Sequence, residues 1–196
     1  RLISLLIFIT TINVSVAQGY ISETIQHDGL IREYSIYVPA SYDGTTNFPL
    51  LFNLHGGGGT IAAHIGVADM SSIADTANFI IVHPQGLIDN SGVTHWNLGQ
   101  SNIDDIGFLN SLYFHIISSY NINLDKVYST GMSNGGYMSY ELACELENKI
   151  VAFGSVTGNF MLNESSGQLC EFTREIPIIH FHGTADSVVD YYPPSF

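Results

Sequence analysis

Basic residues are the scarcest feature of this chain: Lys and Arg together number 5, against 18 Asp and Glu, for a formal charge of −13 over 196 residues. Arg1, Arg32, Lys126, Lys149 and Arg174 are too few and too scattered to form a patch for phosphate backbones, which argues against nucleic acid as a partner. Cysteine is rarer still, with 2 residues. Cys144 sits in an apolar helical pattern and Cys170 in a loop, and neither has a CxxC or His-spaced partner, so no metal site is expected. They form a disulfide only if the fold brings them together, and are otherwise two buried thiols. An apolar run of membrane-spanning length is also lacking. The longest lies behind Arg1 in RLISLLIFITTINVSVAQ, short of the roughly 20 residues a spanning helix needs. Its Ser15-Val16-Ala17 ending is a small-x-small pattern, so residues 1–17 read as part of a secretory signal peptide. The expectation is export, to the extracellular space or periplasm, with no stable membrane anchor and one domain over residues 18–196.

What the chain does have is 45% hydrophobic residues in a period that keeps switching. Arg32–Pro39 alternates as a half-buried strand, and Leu50–Leu54 is a continuous apolar run of the kind covered on both faces. Helix-compatible spacing follows over Ile61–Ala77, then a strand over Phe79–Val82. After a Gly-, Asn- and Ser-rich loop holding Trp96, Asp104 and Asp105 open a helix, where carboxylates suit the free N–H groups. Lys126–Thr130 reads as a strand, Asn134–Glu147 as a helix, and Ile150–Val156 and Ile176–Phe181 as strands. Such alternation implies βαβ units and a mostly parallel, doubly wound α/β sheet.

Ligands of such sheets sit at the carboxyl ends of the strands, and three motifs begin there. Gly131-Met132-Ser133-Asn134-Gly135 fits G-x-S-x-G, the strand-to-helix turn whose flanking glycines give steric room to a strained serine. Ser133 is the candidate nucleophile; the bland reading is a glycine-rich turn with a solvated serine. A tetrahedral intermediate needs preorganised donors. The Asn134 N–H at the helix start is one, and the loop His55-Gly56-Gly57-Gly58-Gly59 offers the other, with Gly57 the first choice and Gly58 the second. A phosphate-binding loop fits poorly, because the run lacks the G-K-[ST] ending.

The acid of a triad follows the serine in the chain order of this turn type. Asp186, in His182-Gly183-Thr184-Ala185-Asp186 beyond the last strand, is the candidate, and Asp190 is the fallback. The base is the gap. All eight histidines precede Asp186, and the chain closes ten residues after it. His180 and His182 share one strand face and read as packing or strand-end residues. The expectation is a sequence truncated at both ends, with the catalytic histidine absent from it and little turnover from these residues alone.

Taken together, LHGGGG, DDIGF, GMSNGGYMSYELACE and HGTADSVVDYY resemble the secreted polyhydroxybutyrate depolymerase and feruloyl esterase family of the α/β-hydrolase superfamily, over roughly residues 25–193. The resemblance implies an eight-stranded, mostly parallel core with its C-terminal strand and helix missing here. It also implies an acyl-enzyme mechanism without a cofactor, on feruloyl or acetyl esters of plant cell-wall polysaccharide or on a hydroxyalkanoate polyester. Residue by residue it assigns Ser133, Asp186 and the oxyanion hole of the glycine loop (Gly57, Gly58) with Asn134; Trp96, in a Trp-Asn pair the family tends to show, reads equally as a wall of the acyl pocket or as a packing residue, and Met132 is a further pocket candidate. Asp190 departs from the proline usual before Tyr191. A peptidase or acyltransferase on the same scaffold, and a non-catalytic carbohydrate- or polyester-binding derivative, are the competing classes.

Overall fold

The apolar run at 50–54 grows into β3 (Phe48–Leu54), and the reason for its unbroken hydrophobicity is visible in its two faces. In this computed structural model, which describes residues 18–90, 92–160, 170 and 172–191, Leu50, Phe52 and Leu54 are essentially fully buried. They join one cluster with Phe108, Leu112, Met138 and Leu142. Each such side chain contributes about 1.5–3 kcal/mol by leaving water. On the opposite face Asn53 meets a different helix, its Oδ1 2.8 Å from His64 Nε2 and its Nδ2 donating to Ala68 O at 3.3 Å. The expected signal segment, residues 1–17, lies outside the described residues.

Around β3 the strands are β1 (Gly19–His27), β2 (Leu30–Val38), β4 (Ile80–Pro84), β7 (Ile122–Met132), β8 (Ala152–Val156) and β9 (Ile178–Phe181). The seven form one sheet in the order β1-β2-β4-β3-β7-β8-β9. β4, β3, β7, β8 and β9 run parallel, while β1 and β2 are antiparallel to their neighbours. A two-stranded ribbon, β5 (Leu87–Ile88) with β6 (Thr94–His95), stands outside the sheet. The described residues thus supply seven of the eight strands that the resemblance implies.

Helix α3 (Asp105–Ser119) starts as its sequence dictates: the Asp104 carboxylate accepts the Gly107 N–H at 2.8 Å. It buries Phe108, Leu109, Leu112, Tyr113 and Ile116, an i, i+4, i+8 stripe. Helix α4 (Asn134–Glu145) packs over β7 and β8. The expected helical run 61–77 is divided into α1 (Ile61–Val67) and α2 (Ser71–Ala77). The division falls at Asp69, whose carboxylate accepts the Ser71 N–H at 2.8 Å and the Tyr20 hydroxyl at 2.8 Å. Cys144 and Cys170 are joined as a disulfide that ties the end of α4 to the segment before β9.

Candidate active site

β7 ends at Met132 and α4 begins at Asn134, so Ser133 alone makes the turn. It does so at φ 52° and ψ −122°, a conformation that a residue with a Cβ holds only when its surroundings enforce it. Two hydrogen bonds and two close backbone crossings enforce it. Ser133 N–H donates to Val156 O of β8 at 2.8 Å, and Ser133 O accepts from Tyr137 N–H at 3.0 Å. A Cβ on Gly131 would overlap the Gly135 backbone, and one on Gly135 would overlap the Leu54 and His55 carbonyl oxygens. The glycines of the motif are therefore required by backbone crossing at close range. The Ser133 hydroxyl is half-buried and has no hydrogen-bond partner among the described residues.

The glycine-rich loop after β3 lies directly against this turn. A Cβ on Gly56 would sit 3.2 Å from Met132 O and 3.5 Å from Ser133 Cβ, and one on Gly57 would sit 3.8 Å from Asn134 Cβ. The loop is braced by His55, which the sequence reading took only as part of the motif. Its Nε2 accepts the Gly86 N–H at 2.9 Å, so Nδ1 carries the proton and donates to Gly56 O at 2.8 Å. Burial holds the His55 imidazole below its ordinary pKa, which suits a neutral structural ring.

The triplet Thr94-His95-Trp96 joins loop to turn. Thr94 O accepts the Gly58 N–H at 2.7 Å and Thr94 Oγ1 donates to Gly59 O at 2.6 Å. The Gly58 amide is therefore occupied, which removes Gly58 as an oxyanion donor, whereas the Gly57 and Asn134 amides have no acceptor among the described residues. Trp96 is fully buried, with its indole N–H on His55 O at 2.9 Å. Of the two readings of Trp96, this burial and bond support packing beneath the loop over a pocket wall. Met132 is 40% exposed beside Ser133.

Asp186 stands beyond β9, on the strand-end side that also carries Ser133. Its Oδ1 accepts the Val188 and Val189 N–H groups at 2.9 and 3.0 Å, which with His182 nearby holds the carboxyl below its ordinary range. Burial pushes the Tyr137 hydroxyl up, a hydrogen bond from the Asn159 backbone opposes this, and the Asp186 charge adds to it. Asp190, the fallback, is exposed, and its carbonyl accepts from Asn159 Nδ2 at 3.1 Å. His182 Nε2 lies 3.8 Å from Asp186 Oδ2, but the imidazole is enclosed and the same nitrogen sits 2.7 Å from Val189 O. None of the eight histidines hydrogen-bonds the Ser133 hydroxyl. Among the described residues the one group of three metal-type ligands is His27, Asp28 and Asp104, on the β1–β2 turn and the start of α3 rather than on the elements of this site.

Residues 114–193 match the family model described as phospholipase/carboxylesterase. The chain is 29% identical over 171 residues to a bifunctional acetylxylan esterase/xylanase of Neocallimastix patriciarum, covering 87% of this chain and 24% of that protein. It is 27% identical over 162 residues to feruloyl esterase B of Piromyces equi, covering 82% and 30%. The chain thus spans less than a third of the length of these two relatives. Among solved structures, acetyl xylan esterase from Aspergillus awamori superposes with a TM-score of 0.69 at 16% identity, covering 87% of this chain and 74% of that one. A thermostable esterase gives 0.66 at 22% identity, covering 87% and 48%. The sheet and these solved structures give the chain an α/β-hydrolase fold, and its sequence is similar to those of feruloyl and acetylxylan esterases.

Proposed function

We propose that the chain carries the nucleophile, acid and oxyanion hole of a serine carboxylic-ester hydrolase acting on acetyl or feruloyl esters of plant polysaccharide. The observation that carries this reading is Ser133 at positive φ on a one-residue strand-to-helix turn, its hydroxyl unpartnered, against a glycine loop with an open amide. Ser133 Oγ attacks the ester carbonyl carbon. The oxyanion is received by the N–H groups of Gly57 and Asn134, each worth about 3 kcal/mol of barrier. Loss of the alcohol leaves an acyl-enzyme, which water hydrolyses. Asp186 orients and charge-balances the base. No base is assigned among the eight histidines above, none of which hydrogen-bonds Ser133.

The relatives' names support the ester class, and no observation favours a polyester. Export is supported by the Cys144–Cys170 disulfide, since such bonds persist in oxidising compartments. The test is a fluorophosphonate probe on the full-length gene product, with turnover of p-nitrophenyl acetate beside it. Labelling and turnover, both abolished by Ser133→Ala, are expected. An unlabelled Ser133 in folded full-length protein would instead support a binding derivative. Residues 18–196 alone are expected to turn over little ester, and robust Ser133-dependent turnover by them would show that a histidine already present is the base.

A further inference from the structure

The imidazole of His95 is locked in orientation and tautomer, yet one of its nitrogens is left open. Asn134 cannot rotate its carboxamide, because Oδ1 takes the Trp96 N–H at 2.7 Å and Nδ2 donates to Trp96 O at 3.1 Å. The remaining Nδ2 hydrogen faces His95 Nδ1 at 3.3 Å, so that nitrogen accepts and the ring proton lies on Nε2. The Cδ2–Nε2 edge rests against Gly57, 3.2 and 3.6 Å from the position a Cβ there would take. Nε2 itself has no acceptor among the described residues.

His95 also lines a cleft of about 260 Å³, together with Asp89, Asn97, Gln100 and Ser101 among others. Its wall is rigid. The Asn97 carboxamide makes four hydrogen bonds within its own loop, to Ser101 O, Ile103 O, Gly99 N and Ser101 N. The Asn97 amide in turn donates to the buried Asp105 carboxylate at 2.7 Å. Gln100 uses Oε1 on Leu98 N–H, leaving its NH₂ to donate, and Ser101 Oγ accepts from Ile103 N–H while keeping its own proton. No Lys or Arg lines the cleft, and Ile103 is its one aliphatic side chain. A carboxylate or phosphate would find no cation there. Neutral hydroxyl groups match the lining.

We infer that this cleft receives the hydroxyl-bearing alcohol half of the ester, and that His95 Nε2–H is the specificity-determining donor to it. The inference rests on the reading of Ser133 and its oxyanion hole given above. A polyhydroxylated alcohol then gains binding that a simple alcohol does not, and removing a donor from a site built to hydrogen-bond costs more than removing apolar contact.

The test uses the full-length protein with two acetate esters, an acetylated xylooligosaccharide and p-nitrophenyl acetate. His95→Leu keeps the bulk and removes the donor. It is expected to reduce kcat/KM on the oligosaccharide at least about tenfold more than on the p-nitrophenyl ester, chiefly by raising KM. His95→Gln, whose amide nitrogen reaches the place of Nε2, is expected to restore most of the preference. Where His95→Leu lowers the melting temperature, Gln100→Leu on the cleft wall carries the same comparison. Equal losses on both esters, unchanged preference, or Leu and Gln variants behaving alike overturn the inference. Fluorophosphonate labelling separates the levels: Ser133 labelled with preference unmoved defeats this inference alone, whereas Ser133 unlabelled in the wild type defeats the reading beneath it.

Discussion

Asn134 and Trp96 clasp each other by two hydrogen bonds, from Trp96 N–H to Asn134 Oδ1 at 2.7 Å and from Asn134 Nδ2 to Trp96 O at 3.1 Å. Both residues are buried, so neither set of polar atoms has water as a substitute. Asn134→Leu strips the Trp96 backbone of both partners and is expected to destabilise the fold by about 1–3 kcal/mol in urea titration. Asn134→Asp keeps the acceptor but points a carboxylate oxygen at Trp96 O, and is expected to lower turnover further than stability. Equal stability of wild type and Asn134→Leu would show that the clasp carries no net energy.

The elbow glycines are the second test. Gly131→Ala and Gly135→Ala each place a methyl group against backbone that cannot swing aside. Loss of soluble, cooperatively unfolding protein is expected for both. Gly66→Ala, where nothing lies within 4 Å of the added Cβ, is expected to fold normally and serves as the control.

Acid should weaken the protein through two histidines behind the sheet. His64 and His83 are buried, and burial lowers both imidazoles to about 4; the Asp69 carboxylate opposes this only weakly at His83. Their folded pKa lies below the unfolded value near 6.5, so the unfolded chain takes the protons first. Stability is fully present above about pH 6.5 and falls between there and about pH 4, by up to about 1.4 kcal/mol per pH unit for each ring that titrates. Neither His83 ring nitrogen has a hydrogen-bond partner among the described residues, which makes His83→Phe a mild change at neutral pH. Urea midpoints measured from pH 7.5 to 4.5 should show a shallower acid slope for that variant; an unchanged slope would assign the acid sensitivity elsewhere.

Arg32 and Asp105 form a buried ion pair at 2.5 Å, with the guanidinium also 3.8 Å over the Phe108 ring. Arg32→Met leaves the enclosed Asp105 carboxyl without its partner, and is expected to cost about 3–5 kcal/mol. Because Asp105 Oδ2 also holds the Asn97 N–H, the 97–103 loop should loosen with it, visible as faster amide exchange there. The double variant Arg32→Met/Asp105→Leu should recover part of the stability, and a double variant as weak as the single would contradict the charge-burial account.

The Cys144–Cys170 bond closes a loop across a separation of 26 residues. Removing it with paired Ser substitutions is expected to lower stability by about 2–4 kcal/mol in the loop-entropy account. Reductant should lower the wild-type urea midpoint to the variant's and leave the variant's own midpoint unmoved.

The parallel strands were legible because burial on both faces writes a continuous apolar run, and the βα turns because their glycines are steric necessities. β1 was not legible: as a margin strand with most residues exposed, Gly19–His27 has no apolar run to notice. Its hairpin partner did leave a signal in Asp28-Gly29, both at positive φ as the tight turn demands. Sequence ranked Gly57 ahead of Gly58 but could not exclude Gly58, since what separates them is a hydrogen bond to Thr94 supplied by a ribbon some 36 residues on. The same holds for Trp96, where an aromatic in a polar loop reads equally as pocket wall or as packing. Only its indole bond to His55 O decides between them.

The β5–β6 ribbon divides its duties along its length. Its base, Thr94 to Trp96, grips the glycine loop and Asn134, while its tip closes on itself through Asp89 N–H to Val93 O at 2.8 Å and Gly92 N–H to Asp89 O at 3.0 Å. Insertions at the tip would lengthen one rim of the adjoining cleft and leave the grip below untouched. Chains sharing this scaffold therefore have a place to vary in length without redesigning the hole, and a place three residues long where they do not.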